Sequence, residues 1–374
     1  MTDRASTSLS PVVVTGGCGF IGFHMVSQLV ADDSDCKVHV VDINTGRNRV
    51  SGVTYHKCDI TALPDVQSVL DKVRPKTIFH IACPDSMVLQ PSIFRQVNLI
   101  GARNLLAAAE ATGVQAFINT STTSIIHDNH SHIINADETW PLLEYPVQKR
   151  VYTLTKAEAH KEIIAANRKG GDASLLTVSI LPASTFGPRD TVFLGKVVAT
   201  ARAGKANIQM GPGKNEYDFV YVSNLVDAHI LAAKALVRAF GKPAPAAENR
   251  VDGETFIVTN DERRNFWDFQ RSIAASVGCP VKPQEIKIIP VWVAWLFAAI
   301  GEWFAWLFRK GHPIVTREAV RLVTINRTFN GEKAKRVLGY KPKVSIDHGL
   351  EIAGKWFREE AERAKYDEAS AKDR

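Results

Sequence analysis

Two apolar patterns alternate along the first half of the chain. Short runs rich in β-branched and aromatic residues (Val12-Val13-Val14, Val38 to Val41, Thr54 to Ile60, Thr77 to Ala82 and Ala116 to Thr122) read as strands. Between them, apolar residues recur at helical spacing: Phe23, Met25, Val26, Leu29 and Val30, then Val66 to Val73, then Val97 to Ala109. Strand and helix in strict alternation predict a doubly wound α/β fold, a parallel sheet with helices on both faces. The pattern becomes less regular after a Pro/Ala-rich stretch at 241–248. The expected organisation is a Rossmann core over 1–186 and a smaller C-terminal lobe over 187–357. Segments 216–235 and 254–260 return to the core, and 358–374 form a charged tail.

In such a sheet ligands bind at the carboxyl ends of the strands. The first strand runs into Thr15-Gly16-Gly17-Cys18-Gly19-Phe20-Ile21-Gly22, with glycines at 16, 19 and 22. Lacking Cβ atoms, these positions permit a tight turn and close approach of a pyrophosphate, which the N-terminus of the next helix attracts. Between a strand and a helix, the spacing is that of a dinucleotide site. Gly16, Gly19, Phe20, Ile21 and Gly22 are its expected contacts. Asp42 ends the second strand about twenty residues on, where a carboxylate accepts the ribose hydroxyls and repels a 2′-phosphate. NAD is therefore expected, while Arg47 and Arg49 leave NADP open. Asp59 and Ile60, Ala82, Thr122 and Pro182 stand at or just beyond other strand ends and complete the expected cleft.

Tyr152 and Lys156 lie four apart in a helical pattern that continues through Ala157, Ala159, Ile163 and Ile164, so they share a face. A phenol of pKa about 10 is a poor base at neutral pH, and a neighbouring ammonium favours its ionised form. Tyr152 is the expected general base, Lys156 its activator and Thr122 the hydroxyl that orients the reacting oxygen.

The glycine turn, the Thr120–Thr122 strand end and the Tyr152/Lys156 pair resemble those of an extended short-chain dehydrogenase/reductase. Segments 181–190 and 217–229 are similar to the 3β-hydroxysteroid dehydrogenase branch. Phe256 to Glu262 with Phe266 to Phe269 resemble most the sterol-4α-carboxylate 3-dehydrogenases (decarboxylating). The resemblance covers about residues 11–357. It implies NAD(P)-dependent oxidation of a sterol 3β-hydroxyl with loss of a 4α-carboxylate, a sterol or steroid-like substrate, no metal and a possible homodimer through the helix of Tyr152. A 3β-hydroxysteroid or triterpenoid dehydrogenase that does not decarboxylate, and a cofactor-sensing binding protein, remain alternatives. Thr122 stands where the family usually has Ser, with Ser121 and Thr123 beside it. Arg189 is the candidate for the substrate carboxylate. His127, His130 and His132 read as part of a polar loop rather than as metal ligands.

From Ile288 to Phe308 the chain is almost entirely apolar, interrupted by Glu302 and followed by Arg309-Lys310. At about 100° per residue, Trp292, Trp295, Trp303 and Trp306 fall within about 80° of one another. A lengthwise tryptophan stripe suits a helix lying in a membrane interface, with a core helix and a membrane span as alternatives. With a sterol substrate, this places the protein at the endoplasmic reticulum membrane or lipid droplet surface, facing the cytosol.

Bulk composition adds little. The 374 residues carry a net charge of +7, but acidic residues are interspersed among the basic ones, which argues against nucleic acid. The N-terminus is short and polar, and no cleavable signal peptide is expected. Five scattered cysteines (Cys18, Cys36, Cys58, Cys83 and Cys279) form no Cys-x-x-Cys pair and read as free thiols in a reducing compartment.

Overall fold

A computed structural model describes residues 7–85, 90–308 and 315–372; Arg309 and Lys310 lie outside these. The strands in chain order are β1 (Val12–Thr15), β2 (Val38–Asp42), β3 (Thr54–Lys57), β4 (Thr77–His80), β5 (Ala116–Thr120), β6 (Ile133–Ala136), β7 (Leu176–Pro182), β8 (Ser184–Phe186), β9 (Ile208–Met210), β10 (Glu216–Tyr221), β11 (Thr255–Val258), β12 (Arg263–Asn265), β13 (Lys287–Ile289) and β14 (Arg327–Phe329). The helices are α1 (Phe20–Asp32), α2 (Leu63–Val73), α3 (Pro91–Phe94), α4 (Gly101–Thr112), α5 (Val151–Ala165), α6 (Leu194–Arg202), α7 (Val222–Ala239), α8 (Phe266–Ser276), α9 (Val291–Phe308), α10 (Arg317–Leu322) and α11 (Ile346–Lys372). A π-helical turn, Arg95–Ile100, joins α3 to α4.

Among the described residues, a seven-stranded parallel sheet has the order β11-β7-β5-β4-β1-β2-β3. The order reverses between β1 and β4, which opens a crevice at their carboxyl ends. The unbroken apolar runs follow from burial on both faces. Val12, Val14, Val40 and Phe79 face α1 and α7, packing with Met25, Leu29, Leu225 and Leu236. Val13, Val41, Ile78 and Phe117 face the other way, against Leu70, Leu105 and Ile163.

A second sheet runs β12-β10-β14-β6, with β8 also beside β10. Of segment 216–235, helix α7 lies over the main sheet, whereas strand β10 belongs to the second sheet. β6, from the N-terminal half, also pairs there, with β14 (Ile133 with Arg327). β11 closes the main sheet beside β7. Below the second sheet is an aromatic core in which the Phe219 and Phe269 rings stack at 3.6 Å between centroids. Ile346, Leu350 and Phe357 of α11 cover it, and residues 358–372 continue that helix.

Candidate active site

The glycine turn is sterically fixed. A Cβ on Gly22 would lie 2.1 Å from the Gly16 carbonyl oxygen. Gly16 has φ +70°, and a Cβ there would lie 2.7 Å from Ala82 Cα. The β1 and β4 ends thus meet at the crevice. Thr15 Oγ1 reinforces that junction, accepting from Ile81 N and Ala82 N at 3.2 Å each and bonding His80 Nδ1 at 2.9 Å. Gly17, not singled out from the sequence, is needed for a different reason: a Cβ would lie 2.7 Å from both Val40 methyls. The α1 N-terminus has no side-chain cap and no acid in its first turn. Its backbone donors and dipole remain for an anion, and Phe20 and Ile21 are the helix's first two residues.

Asp42 is tied to this turn. Its Oδ2 accepts from Cys18 N at 3.1 Å and its Oδ1 from Asn44 N at 3.0 Å. A carboxylate has about four lone-pair sites, so capacity remains for ribose hydroxyls. Asp59 is exposed beyond β3, where Oδ1 accepts from Thr61 N at 2.9 Å. Ile60 is a core residue instead: its side chain is buried, in the space that a Cβ on Gly101 would need. The glycine cradle, the uncapped helix and Asp42 together fit a dinucleotide.

At the β5 end the ambiguity among the three hydroxyls resolves. Ser121 is buried and makes no hydrogen bond through Oγ, and Thr123 Oγ1 donates to the Pro182 carbonyl at 3.1 Å. Thr122 instead caps the short helix Thr123–Ile126, accepting from Ser124 N at 3.1 Å, and is in hydrogen-bonding contact with the Tyr152 phenol. With Oγ1 accepting from Ser124 N, the Thr122 hydroxyl hydrogen remains for the phenol. Lys156 is buried, and its Nζ donates to the Thr120 carbonyl at 2.7 Å.

The electrostatics depart from expectation. Burial, the largest influence, pushes the phenol well above its ordinary range; contact with Cys83 adds to this, while Arg150 and Thr122 pull the other way. The Lys156 ammonium is committed to the strand end, and burial lowers its own pKa.

Arg189 also differs from expectation. It donates to Asn48 Oδ1 at 2.6 Å and lies 4.0 Å over the Phe23 ring. Asn48 in turn donates to the Cys18 carbonyl at 2.9 Å. Arg189 therefore braces the glycine turn through Asn48. Pairing across 141 positions leaves no sequence signal. His127 bonds Ser131 O and Asn129 N through its two ring nitrogens, and His132 accepts from Asn326 N. These bonds hold the loop against the β14 end.

Cys83 and Asn98 were not anticipated at the site. Both stand where the sheet rule points, just past β4 and on the helix beside α5, but neither belongs to a motif. Cys83 is exposed, with its thiol in hydrogen-bonding contact with Tyr152.

Comparison with known proteins places the chain in a family and a fold. The family model for the 3-beta hydroxysteroid dehydrogenase/isomerase family matches residues 13–288. Sterol-4-alpha-carboxylate 3-dehydrogenase, decarboxylating, of Candida albicans is 32% identical over 95% of this chain and 99% of its own length. The Homo sapiens protein of that name is 32% identical over 92% of this chain and 87% of its own. Among solved structures, UDP-glucose 4-epimerase of Thermotoga maritima superposes with a TM-score of 0.70 at 22% identity, covering 94% of this chain and 99% of its own. An NAD complex of dTDP-glucose 4,6-dehydratase from Bacillus anthracis gives 0.68 at 18% identity, covering 94% and 98%. At these identities the solved structures share the fold.

Proposed function

The chain belongs to the 3-beta hydroxysteroid dehydrogenase/isomerase family, and from that premise we propose that it oxidises the 3β-hydroxyl of a 4α-carboxysterol to the ketone, with loss of the carboxylate as CO2. The observation that carries this reading is the convergence of Thr122, Tyr152 and Lys156 at the β5 end, beside a cradle shaped for a dinucleotide. NAD, held by the 16–22 turn and Asp42, supplies the hydride acceptor when bound.

Tyr152 takes the proton of the substrate hydroxyl as general base. Thr122 turns its single O–H from the phenol to the same oxygen and fixes its direction. Lys156 braces the β5 end against α5, and its remaining N–H groups would serve the cofactor ribose. Such positioned proton transfer contributes on the order of 10² to 10⁴ in rate. The product is a β-keto acid, whose C–C bond breaks because the new carbonyl accepts the electron pair, so no further acid or base is needed for that step.

The membrane face of this reading rests on α9. Trp292, Phe297 and Trp306 are 70%, 71% and 76% exposed, whereas Ala294 and Ala298 are 5% and 1%. The two alanines pack against Val320 of α10, and Glu302 pairs with Arg317 there. The helix is long and apolar enough to cross a membrane, with a mean hydropathy of 1.6. Pinned along one side to its own lobe, it is better suited to lie in the headgroup region than to cross it. The exposed apolar arc, which includes Phe297, Phe304 and Phe308, is wider than the tryptophan stripe. We assign it to the cytosolic face of the endoplasmic reticulum membrane or lipid droplet surface, where a sterol acid partitions.

The test is a substrate panel with NAD and NADP: a 4α-carboxysterol, the same sterol without the carboxylate, and a nucleotide sugar. Reduced nicotinamide and CO2 forming together from the first substrate is the expected result. Reduction without CO2 selects a plain 3β-hydroxysteroid dehydrogenase, and turnover of the nucleotide sugar alone removes the proposal.

A further inference from the structure

A 4α-carboxylate sits on the carbon next to the one that carries the reacting hydroxyl, so both must be met at the same end of the crevice. Three cations of the site are already engaged. Arg189 donates to Asn48, Lys156 donates to the Thr120 carbonyl, and Arg150 faces Glu318 at 3.3 Å. Arg327 is placed differently. It stands on β14, an inner strand of the second sheet, paired with Tyr217 of β10 and Ile133 of β6. Its side chain reaches the catalytic edge of the main sheet, where Nη2 donates to Ser124 Oγ at 3.4 Å. Ser124 N in turn donates to Thr122 Oγ1 at 3.1 Å. One residue, Ser124, thus links the guanidinium to the hydroxyl that orients the reacting oxygen.

The guanidinium is poorly satisfied there. Among the described residues it has no carboxylate partner. The bond to Ser124 is at the long end of the hydrogen-bond range, and Nε is buried with no partner. Cζ lies 5.7 Å from the Tyr217 ring centroid, within cation–π reach. His127 shares this corner, and burial, followed by the Arg327 charge, holds its imidazole below the ordinary range. It adds no second cation at neutral pH. Thr122, Ser124 and Arg327 are each half-buried, partly screened from water but not sealed in. A charge taken partly out of water without a counter-charge is destabilising, and an anion arriving with the substrate offsets that cost.

We propose that Arg327 binds the 4α-carboxylate, with the Ser124 hydroxyl as a second donor, and so selects carboxylated sterols over neutral ones. The inference rests on the reading of the chain as a carboxysterol dehydrogenase. A guanidinium offers its donors in a fork that matches a carboxylate. Ser124 Oγ accepts from Arg327 and keeps its own hydrogen for the anion. Held by the carboxylate on one carbon and by the hydroxyl on the next, the sterol ring cannot rotate its C3–O bond away from Thr122 and Tyr152. The second sheet thereby supplies the specificity for a reaction carried out at the edge of the first.

The experiment compares Arg327→Ala and Arg327→Lys with the wild type, recording kcat/KM on a 4α-carboxysterol, the inhibition constant of the decarboxylated 3-ketosterol, and NAD affinity. The ketosterol is the neutral product and occupies the same site without an anion. Arg327→Ala is expected to lower kcat/KM on the carboxysterol at least about thirtyfold, the loss of one charge-assisted hydrogen bond. Inhibition by the ketosterol and NAD affinity should stay as in the wild type. Arg327→Lys, which keeps the charge but not the fork, restores part of the loss. An arginine that merely braced the 122–127 loop would weaken both sterols alike. Equal changes for the two sterols, or none, overturn the proposal, while wild-type oxidation of the carboxysterol leaves the reading beneath it standing. A wild type that does not oxidise the carboxysterol overturns both. If the alanine variant fails to bind NAD, Arg327→Gln, which keeps a donor without the charge, takes its place with the same expected outcomes.

Discussion

At the carboxyl edge of the main sheet, polar side chains end on partners inside the molecule: Thr15 on His80, Thr120 on His229, Lys156 on the Thr120 carbonyl. On α9 the order is reversed, with tryptophans and phenylalanines reaching solvent and a narrow strip, chiefly Val291, Ala294, Ala298 and Glu302, reaching the protein. A buried polar group left unpaired costs about 1–3 kcal/mol, so the first region carries most of its own complement, Ser121 Oγ being the exception. Exposed apolar area of the α9 kind marks a surface whose complement lies elsewhere. The contrast separates where the chemistry is prepared from where the substrate arrives.

The sharpest way to break that contrast is at the phenol. Tyr152→Phe is expected to lower kcat by on the order of 10³-fold, with NAD affinity, by fluorescence titration, changed little. Gly22→Ala comes next. The 2.1 Å approach to the Gly16 carbonyl forces the turn open, so NAD affinity falls by about two orders of magnitude if ~3 kcal/mol of backbone contact is lost. Isothermal titration checks it, and unchanged affinity would show that this turn does not hold the dinucleotide.

Acid titration separates the regions more gently. Burial holds His80 down to about 3, helped by the Lys156 charge, and His160 and His229 down to about 4. These folded values lie below the ordinary ~6.5, so the unfolded chain takes up protons that the folded sheet refuses. Their stabilisation is present above about pH 6.5 and is lost as the pH falls toward 4 and 3. The urea midpoint should drop over that window, and His229→Gln, keeping a partner for Thr120, should lessen the drop. A flat midpoint from pH 7 to 4 would contradict it.

Much of the catalytic edge was legible because local pattern carries it. β-branched runs, glycine spacing and a Tyr-x-x-x-Lys pair are all short-range signals, and each strand end is a place where ligands gather. What stayed hidden depends on distant partners. β6 and β14 meet across nearly two hundred positions, and no periodicity announces a second sheet assembled from five scattered strands. Arg189 looked like a free cation and turned out to brace Asn48. Lys156 was expected beside the phenol, but its bond to the Thr120 carbonyl depends on a direction only the sheet defines. On α9 the reverse happened: composition showed the apolar character, but only packing showed how narrow a strip of it, Ala294 and Ala298 at its centre, meets the protein.

The separation of chemistry from delivery is tested most directly by one comparison of turnover. Trp292→Glu/Trp306→Glu protein is given the 4α-carboxysterol either dispersed in solution or held in phosphatidylcholine vesicles. Wild-type turnover on the dispersed substrate, with at least about a tenfold loss on the vesicle-held one, is the predicted result for a lost interfacial anchor. An equal loss on both would contradict it, because α9 would then be a wall of the substrate site.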